Sequence, residues 1–322
     1  MDRFDNSPET ALAWFRKGRG AALATVVETW GSAPRRVGAQ LVIGGDGRIE
    51  GSVSGGCVEG AVIVEALEAM HEGEARLLEF GVSDEDAFAV GLACGGTIRV
   101  LVEPVGAVLP EPMLAELVAA RARREPVAYE VNVETGHRAL RRNAYADRLR
   151  MDRSGFEEGG QTFVAVHNPP LRLIVVGAVH IAQALVPMAR IAGYDPIIID
   201  PREAFASKSR FPGEKLLTDW PDEAVASIGL DARTAVVLLT HDPKLDDPAL
   251  QAALNSDVFY IGALGSSRTH AKRVQRMTEA GFSATQLQRI HGPIGLDIGA
   301  AGPAEIAVAI IAQMTAVLRG KA

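Results

Sequence analysis

The sequence predicts a two-domain α/β chain, an N-terminal α/β domain followed by a doubly wound parallel-sheet domain. Three observations carry that prediction. At 322 residues the chain exceeds what one hydrophobic core usually organises. His167-Asn168-Pro169-Pro170 is its strongest linker signal, because two prolines continue neither a strand ladder nor a helix. Beyond that linker, short wholly apolar runs alternate strictly with helical stretches, the pattern of repeated βα units in a Rossmann-like sheet. The domains are therefore expected at residues 1–168 and 169–322.

In the first domain, Ala21 to Glu28 is a β-branched apolar run and Ala39 to Ile43 is a second. Gly44-Gly45-Asp46-Gly47 supplies the positive-φ residues of a tight hairpin, and Arg48 to Val53 returns from it. Val58, Ala61, Val62, Val64, Ala66, Leu67 and Met70 predict one side of a long helix, with Gly73 as its stop. Ala75 to Phe80 and Thr97 to Val102 read as strands, and Met113 to Arg124 as a helix ending in a basic turn. Val127 to Val133 and Thr162 to Val166 also read as strands. Arg138 to Gly160 is polar and without clean period, so residues 126–168 are expected to be an irregular excursion plus linker. In the second domain, strands are expected at Leu171 to Val176, Pro196 to Asp200, Ala235 to Leu239 and Val258 to Ile261. Helices are expected from about His180 to Ala192, near Pro248 to Leu254, from Thr269 to Ala280 and from Pro303 to Leu318.

Composition removes several function classes. The formal charge is −7, and the first 170 residues hold 18 basic against 25 acidic side chains while the remainder holds 15 of each. That balance argues against a general nucleic-acid binder, which usually shows a basic face. No run of 18 apolar residues exists, so no membrane span is expected, and the N-terminus lacks the pattern of a secretory signal. Two cysteines outside any CxxC pattern build neither a disulfide framework nor a structural zinc site. A reduced, cytoplasmic, soluble protein is the expectation.

The densest constellation is Gly51-Ser52-Val53-Ser54-Gly55-Gly56-Cys57-Val58-Glu59-Gly60. A strand running through glycines into a helix should point backbone N–H groups outward, and the helix dipole favours thiolate at Cys57. Ala93-Cys94-Gly95-Gly96-Thr97 repeats the theme before a strand. Free cysteines are usually buried small hydrophobes, but a Gly-Gly pair beside each of them weighs toward a role for both. Gly31-Ser32-Ala33-Pro34-Arg35-Arg36 adds two arginines on a loop, an anion site if they do more than solvate a turn.

The second domain carries Val176-Gly177-Ala178-Val179-His180-Ile181-Ala182 where a dinucleotide fingerprint should fall, with Asp200 as the acid that would hold ribose hydroxyls. Val179 replaces the second glycine, and its branched side chain occupies the approach of a pyrophosphate. His180 reads equally as a contact or as a helix-start residue. Three further loops end parallel strands, one with His241, one with Gly265, Ser266 and Arg268, and one with His291. Two readings of these residues alone are an NAD(P)-dependent oxidoreductase and a cysteine-based sulfurtransferase or thiol-redox protein.

The GSAPR, GSVSGGCVEG and CGGT segments, followed by HDPKLDDPAL, GALGSSRTHAKR and HGPIGLDIGA, closely resemble the XdhC/CoxI family across about residues 10 to 319. The resemblance implies an accessory protein rather than a turnover enzyme. It would bind the molybdenum–molybdopterin cofactor, or its cytidine dinucleotide form, during sulfuration by a cysteine desulfurase, and deliver it to the apo large subunit of a molybdenum hydroxylase such as xanthine dehydrogenase. It implies cofactor contact at the Cys57 turn, with Cys57, or Cys94, approaching molybdenum. Arg35, Ser54, Gly55, Gly56, Gly95 and Gly96 in the first domain, and Gly177, His180, Asp200, His241, Gly265, Ser266, Arg268 and His291 in the second, are the candidate binding residues. A homodimer is expected, because C2 pairs are the commonest oligomers.

Overall fold

A computed structural model of the chain describes residues 6–31, 35–56, 58–81 and 96–320. It divides into two compact units, Met1–Pro169 and Pro170–Ala322.

The first unit begins with a helix that the apolar patterning did not predict, α1 (Ser7–Arg16), which has Pro8 in its first turn and buries Ala11 and Leu12. Strands β1 (Ala21–Trp30), β2 (Gln40–Gly44) and β3 (Ile49–Gly51) follow, with a tight turn at Gly47 joining β2 to β3. Next come α2 (Glu59–Glu72), β4 (Arg76–Phe80), β5 (Thr97–Pro104) and α3 (Glu111–Ala122). The strands form one antiparallel sheet in the order β3-β2-β1-β5-β4. Helix α2 covers one face through Val58, Val62, Ala66 and Ala69. That stripe is narrower than the one predicted: Val64 is 55% exposed, because one helical arc cannot hold both it and Val62. Gly73 ends the helix in the left-handed conformation.

The opposite face is covered by α1, α3 and a second sheet. Here the structure corrects the expected irregular excursion. Residues 126–168 contain β6 (Val127–Asn132), β7 (Arg138–Arg141), a short helix α4 (Ala146–Met151), β8 (Gly155–Phe156) and β9 (Thr162–His167), and the strands pair antiparallel in the order β7-β6-β9-β8. The segment lacks an apolar period because its strands at Arg138 and Gly155 are very short and are pinned by ion pairs. Arg141 pairs with Glu130 at 3.1 Å and Arg148 with Glu157 at 2.6 Å.

The second unit is one parallel sheet. Its strands are β10 (Leu171–Val176), β11 (Tyr194–Ile199), β12 (Lys215–Leu217), β13 (Thr234–Leu238), β14 (Tyr260–Ala263) and β15 (Ile290–His291). Their order is β12-β11-β10-β13-β14-β15, which counted within the unit is the 3-2-1-4-5-6 order of dinucleotide-binding folds. Helices α5 (His180–Ile191) and, at the C-terminus, Pro303–Leu318 pack on one face. On the other face lie α6 (Pro221–Ile228), α7 (Pro243–Leu254) and α8 (Ser267–Glu279). Helix α7 starts five residues earlier than expected. Asp242 caps it by accepting the Lys244 N–H at 2.9 Å, and Pro248 lies inside the helix. A four-residue helix, α9 (Ala284–Leu287), precedes β15, so the Pro303–Leu318 helix is α10. Among the described residues no helix is long and apolar enough to cross a membrane.

Candidate functional site

In the first unit the register brings the motif segments to one end of the five-stranded sheet. Trp30 at the end of β1 pairs with Thr97 at the start of β5, just after Gly96. The start of β2 and the end of β3 lie at the same end, with Gln40 opposite Thr25 and Gly51 opposite Leu41. Arg35 then joins two motifs directly, its Nε donating to the Ser52 carbonyl at 3.1 Å. Cys57, Cys94 and Gly95 lie outside the described residues.

The turn itself is organised by Glu59, a motif residue to which the local pattern assigned no role. Its carboxylate, on a residue 8% exposed, accepts from the Ser52 hydroxyl at 2.7 Å and from the Val53, Ser54 and Gly56 N–H groups at 3.2, 2.9 and 2.9 Å. It also accepts from the Ser54 hydroxyl. The Gly55 N–H goes to the Ser52 hydroxyl oxygen at 2.8 Å, and the Val58 N–H to that of Ser54 at 3.0 Å. Burial works against the Glu59 charge, but the hydroxyls of Ser54 and Ser52 and the Ser54 N–H outweigh it and hold the carboxyl at about 2. The N–H groups of Gly55 and Gly56 are therefore not the open anion seat expected of them, because the protein's own side chains fill it. A signal was present: Gly56 and Glu59 have capping-box spacing, with glycine in place of serine.

The second unit gathers its candidates along the edge formed by the C-terminal ends of parallel strands. The sheet order reverses between β10 and β13, the position at which such sheets bind ligands. Gly177, at φ +107°, lets the β10 loop meet the β13 loop, since a Cβ there would lie 2.6 Å from the Thr240 methyl carbon. His180 is the exposed first residue of α5, and His241 is exposed in the left-handed region at φ +65°. Asp200 is fully buried. It accepts the Ala178 N–H at 2.8 Å, the Arg202 N–H at 3.0 Å and both arms of the Arg202 guanidinium at 2.8 and 2.7 Å. The acid that would hold ribose hydroxyls is thus enclosed by its own neighbour, and Arg202 stacks over Phe205 at 4.3 Å. His291 is half-buried and stacked on Tyr260, ring centroids 4.9 Å apart, so its ring is engaged in packing; burial pushes its imidazole pKa down.

The start of α8 differs from the turn at Gly55 and Gly56. Gly265 enters it at φ +140°, and Ser266 caps it by accepting the Thr269 N–H at 3.3 Å. The first N–H groups of the helix have no intrahelical partner, and Ser266, Ser267 and Arg268 stand exposed there. Among the described residues no His/Cys/Asp/Glu group is arranged to hold a metal ion. With Asp200 and Arg202 committed to each other, titration with NADH or NADPH, followed by fluorescence, is expected to show no saturation up to about 1 mM. Tight binding of either would mean that the pair opens.

A Rossmann domain in the second unit is also what comparison with known proteins finds. Residues 14–81 match the model of the XdhC and CoxI family, and residues 173–314 match that of the XdhC Rossmann domain. The chain is 35% identical over 307 residues to the molybdenum cofactor insertion chaperone PaoD of Escherichia coli, spanning 95% of this chain and 86% of that protein. It is 28% identical to a probable xanthine dehydrogenase subunit of Bacillus subtilis, over 91% and 92% of the two chains. A crystal structure described as a xanthine dehydrogenase from Bacillus halodurans superposes with a TM-score of 0.71 at 25% identity, covering 98% of this chain and 96% of that one. The chain belongs to the XdhC and CoxI family.

Proposed function

We propose that this chain is a molybdenum cofactor chaperone: it binds the molybdenum–pterin cofactor as cargo and inserts it into an apo molybdenum hydroxylase of the xanthine dehydrogenase type. The observation that carries this reading is the 35% identity, over nearly the whole chain, to a molybdenum cofactor insertion chaperone. The chaperone holds the cofactor while a cysteine desulfurase supplies its terminal sulfur, and then docks on the large subunit of the client. Cys57 approaches molybdenum or relays sulfur, with Cys94 as its alternative. Ser54 fixes the turn from within, and Gly55, Gly56, Gly96 and Arg35 shape the binding surface. Gly265, Ser266 and Arg268 take the cargo's phosphate, which comes from the plain pterin or from the cytidine dinucleotide form. Gly177, His180 and His241 stand on the same strand-end edge of the second unit. The protein works as a homodimer in the cytoplasm.

The residues present suit that cargo. The open N–H groups and exposed guanidinium at the start of α8 complement a phosphate, and the strand-end edge of the unit has the topology of a nucleotide seat. Cys57→Ala is expected to reduce sulfurated, active client enzyme by at least about ten-fold while the client's cofactor-free form accumulates. Client activity is the readout, with metal and pterin analysis of chaperone purified from a cofactor-producing host. Unchanged client activity with Cys57→Ala would remove the cysteine from the mechanism, and absence of pterin from the wild-type chaperone would overturn the reading itself.

A further inference from the structure

The start of α8 has charge beneath it as well as above it. Arg273 lies two turns into the helix, and its side chain runs back toward the N-terminus, where Nη2 donates to the Leu264 carbonyl at 3.0 Å. Leu264 immediately precedes Gly265. Arg273 is 2% exposed, yet its Nε and Nη1 have no hydrogen-bond partner. Its counter-ion, Asp246, is 1% exposed and stands 3.7 Å away, beyond hydrogen-bonding reach. Asp246 Oδ1 is already taken by the Thr240 hydroxyl at 2.6 Å, and Oδ2 has no partner. One turn closer to the loop, His270 has a buried, unpartnered Nδ1 and packs against Gly292.

A buried guanidinium with two idle donors is costly. An interior charge is poorly screened, so it acts on groups held just above it. Nη2 reaches the carbonyl just before Gly265, so the guanidinium lies next to the loop that carries the open N–H groups and the exposed Arg268, where an oxyanion would meet positive charge from the loop and from the interior. We infer that the Leu264–Arg268 loop and the start of α8 form a phosphate site whose binding charge is Arg273, with Asp246 as the counter-ion that holds it when the site is empty. The inference deepens the chaperone reading and rests on it for the identity of the cargo.

The test is calorimetric titration of the full chain with inorganic phosphate and with pyrophosphate, in parallel with cofactor retention from a producing host. The wild type should bind at least one of the two. Arg268→Ala and Arg273→Met should each weaken that binding by about ten-fold, the loss of one charge-assisted interaction. Asp246→Asn keeps the acceptor for Thr240 and releases Arg273 from its counter-ion, so binding should tighten by about three-fold or more. A purely structural pair predicts no tightening. If Arg273→Met does not fold, Arg273→Lys and Asp246→Asn carry the comparison. Tighter binding of pyrophosphate than of phosphate points to the diphosphate of a dinucleotide cargo, and the reverse to the plain pterin. Wild-type chain that retains cofactor but binds neither anion overturns the site and leaves the chaperone standing, as does folded Asp246→Asn that binds no more tightly. Chain that does neither overturns both.

Discussion

Glu59→Gln is expected to abolish cofactor delivery and to destabilise the first unit by on the order of 2–3 kcal/mol at neutral pH. The carboxylate collects two hydroxyl and three backbone donors from Ser52, Val53, Ser54 and Gly56, and a carboxamide turns one of its two acceptors into a donor. At least one backbone N–H then faces another donor beside the buried carboxyl, and the turn opens. The pH dependence has a definite sign. The carboxyl is held at about 2 in the folded chain against an ordinary 4.5. Its contribution is complete above the ordinary value, shrinks as pH falls through the window between the two, and is gone below about 2. Urea denaturation of wild type and variant should therefore show a gap that is full at pH 7 and narrows steadily from pH ~5 downward. A gap that persists unchanged to pH ~3 would place the stabilisation elsewhere than in the charge.

Arg138→Ala should be more damaging to stability, by about 3–5 kcal/mol, because it strands a buried charge. Glu103 on β5 is 1% exposed and takes the Arg138 Nε at 2.7 Å and the Tyr129 hydroxyl at 2.7 Å. Its second oxygen has no partner, so it depends on those two donors. The exposed pair Arg150–Asp147 makes the natural comparison: Arg150→Ala should cost no more than about 1 kcal/mol. Chemical denaturation separates the two. The double variant Glu103→Leu, Arg138→Met should recover most of the loss, since an apolar pair leaves no orphaned charge. If it recovers nothing, the damage comes from packing. The pair also explains the polar segment 126–168. That segment is a sheet that packs on β5 through Val127, Tyr129, Val131, Phe163 and Ala165 and adds one buried ion pair to that contact, in a stretch that neither matched family model covers.

Local features were legible because the chemistry that specifies them is local. LRLIVV reads as an interior parallel strand and is β10, Pro303 to Leu318 reads as a helix and is α10, and Gly73 stops α2. Where expectation and structure part, the deciding interaction is distant or polar. Segment 138–160 gains its strands from pairing with β6 and β9 and carries no apolar period of its own. Helix α1 has a small apolar face that meets β1, β2 and α3, and its first turn is built of Ser7, Pro8 and Glu9.

At the candidate site the division is sharper. Motif order, glycine turns and the sheet class of the second domain follow from residues close together in the chain, and they were sufficient to identify the family. Which groups remain open to a ligand does not follow from them. Gly55 and Gly56 look like free donors until Glu59 and Ser52 close over them, and Asp200 looks like a ribose acceptor until Arg202 closes on it. Arg273 looks like one more helix cation until burial leaves two of its donors unpartnered. A sequence states which donors and acceptors exist, but their availability is settled by competition among all the groups that reach the same point in space. Only the folded chain holds that competition.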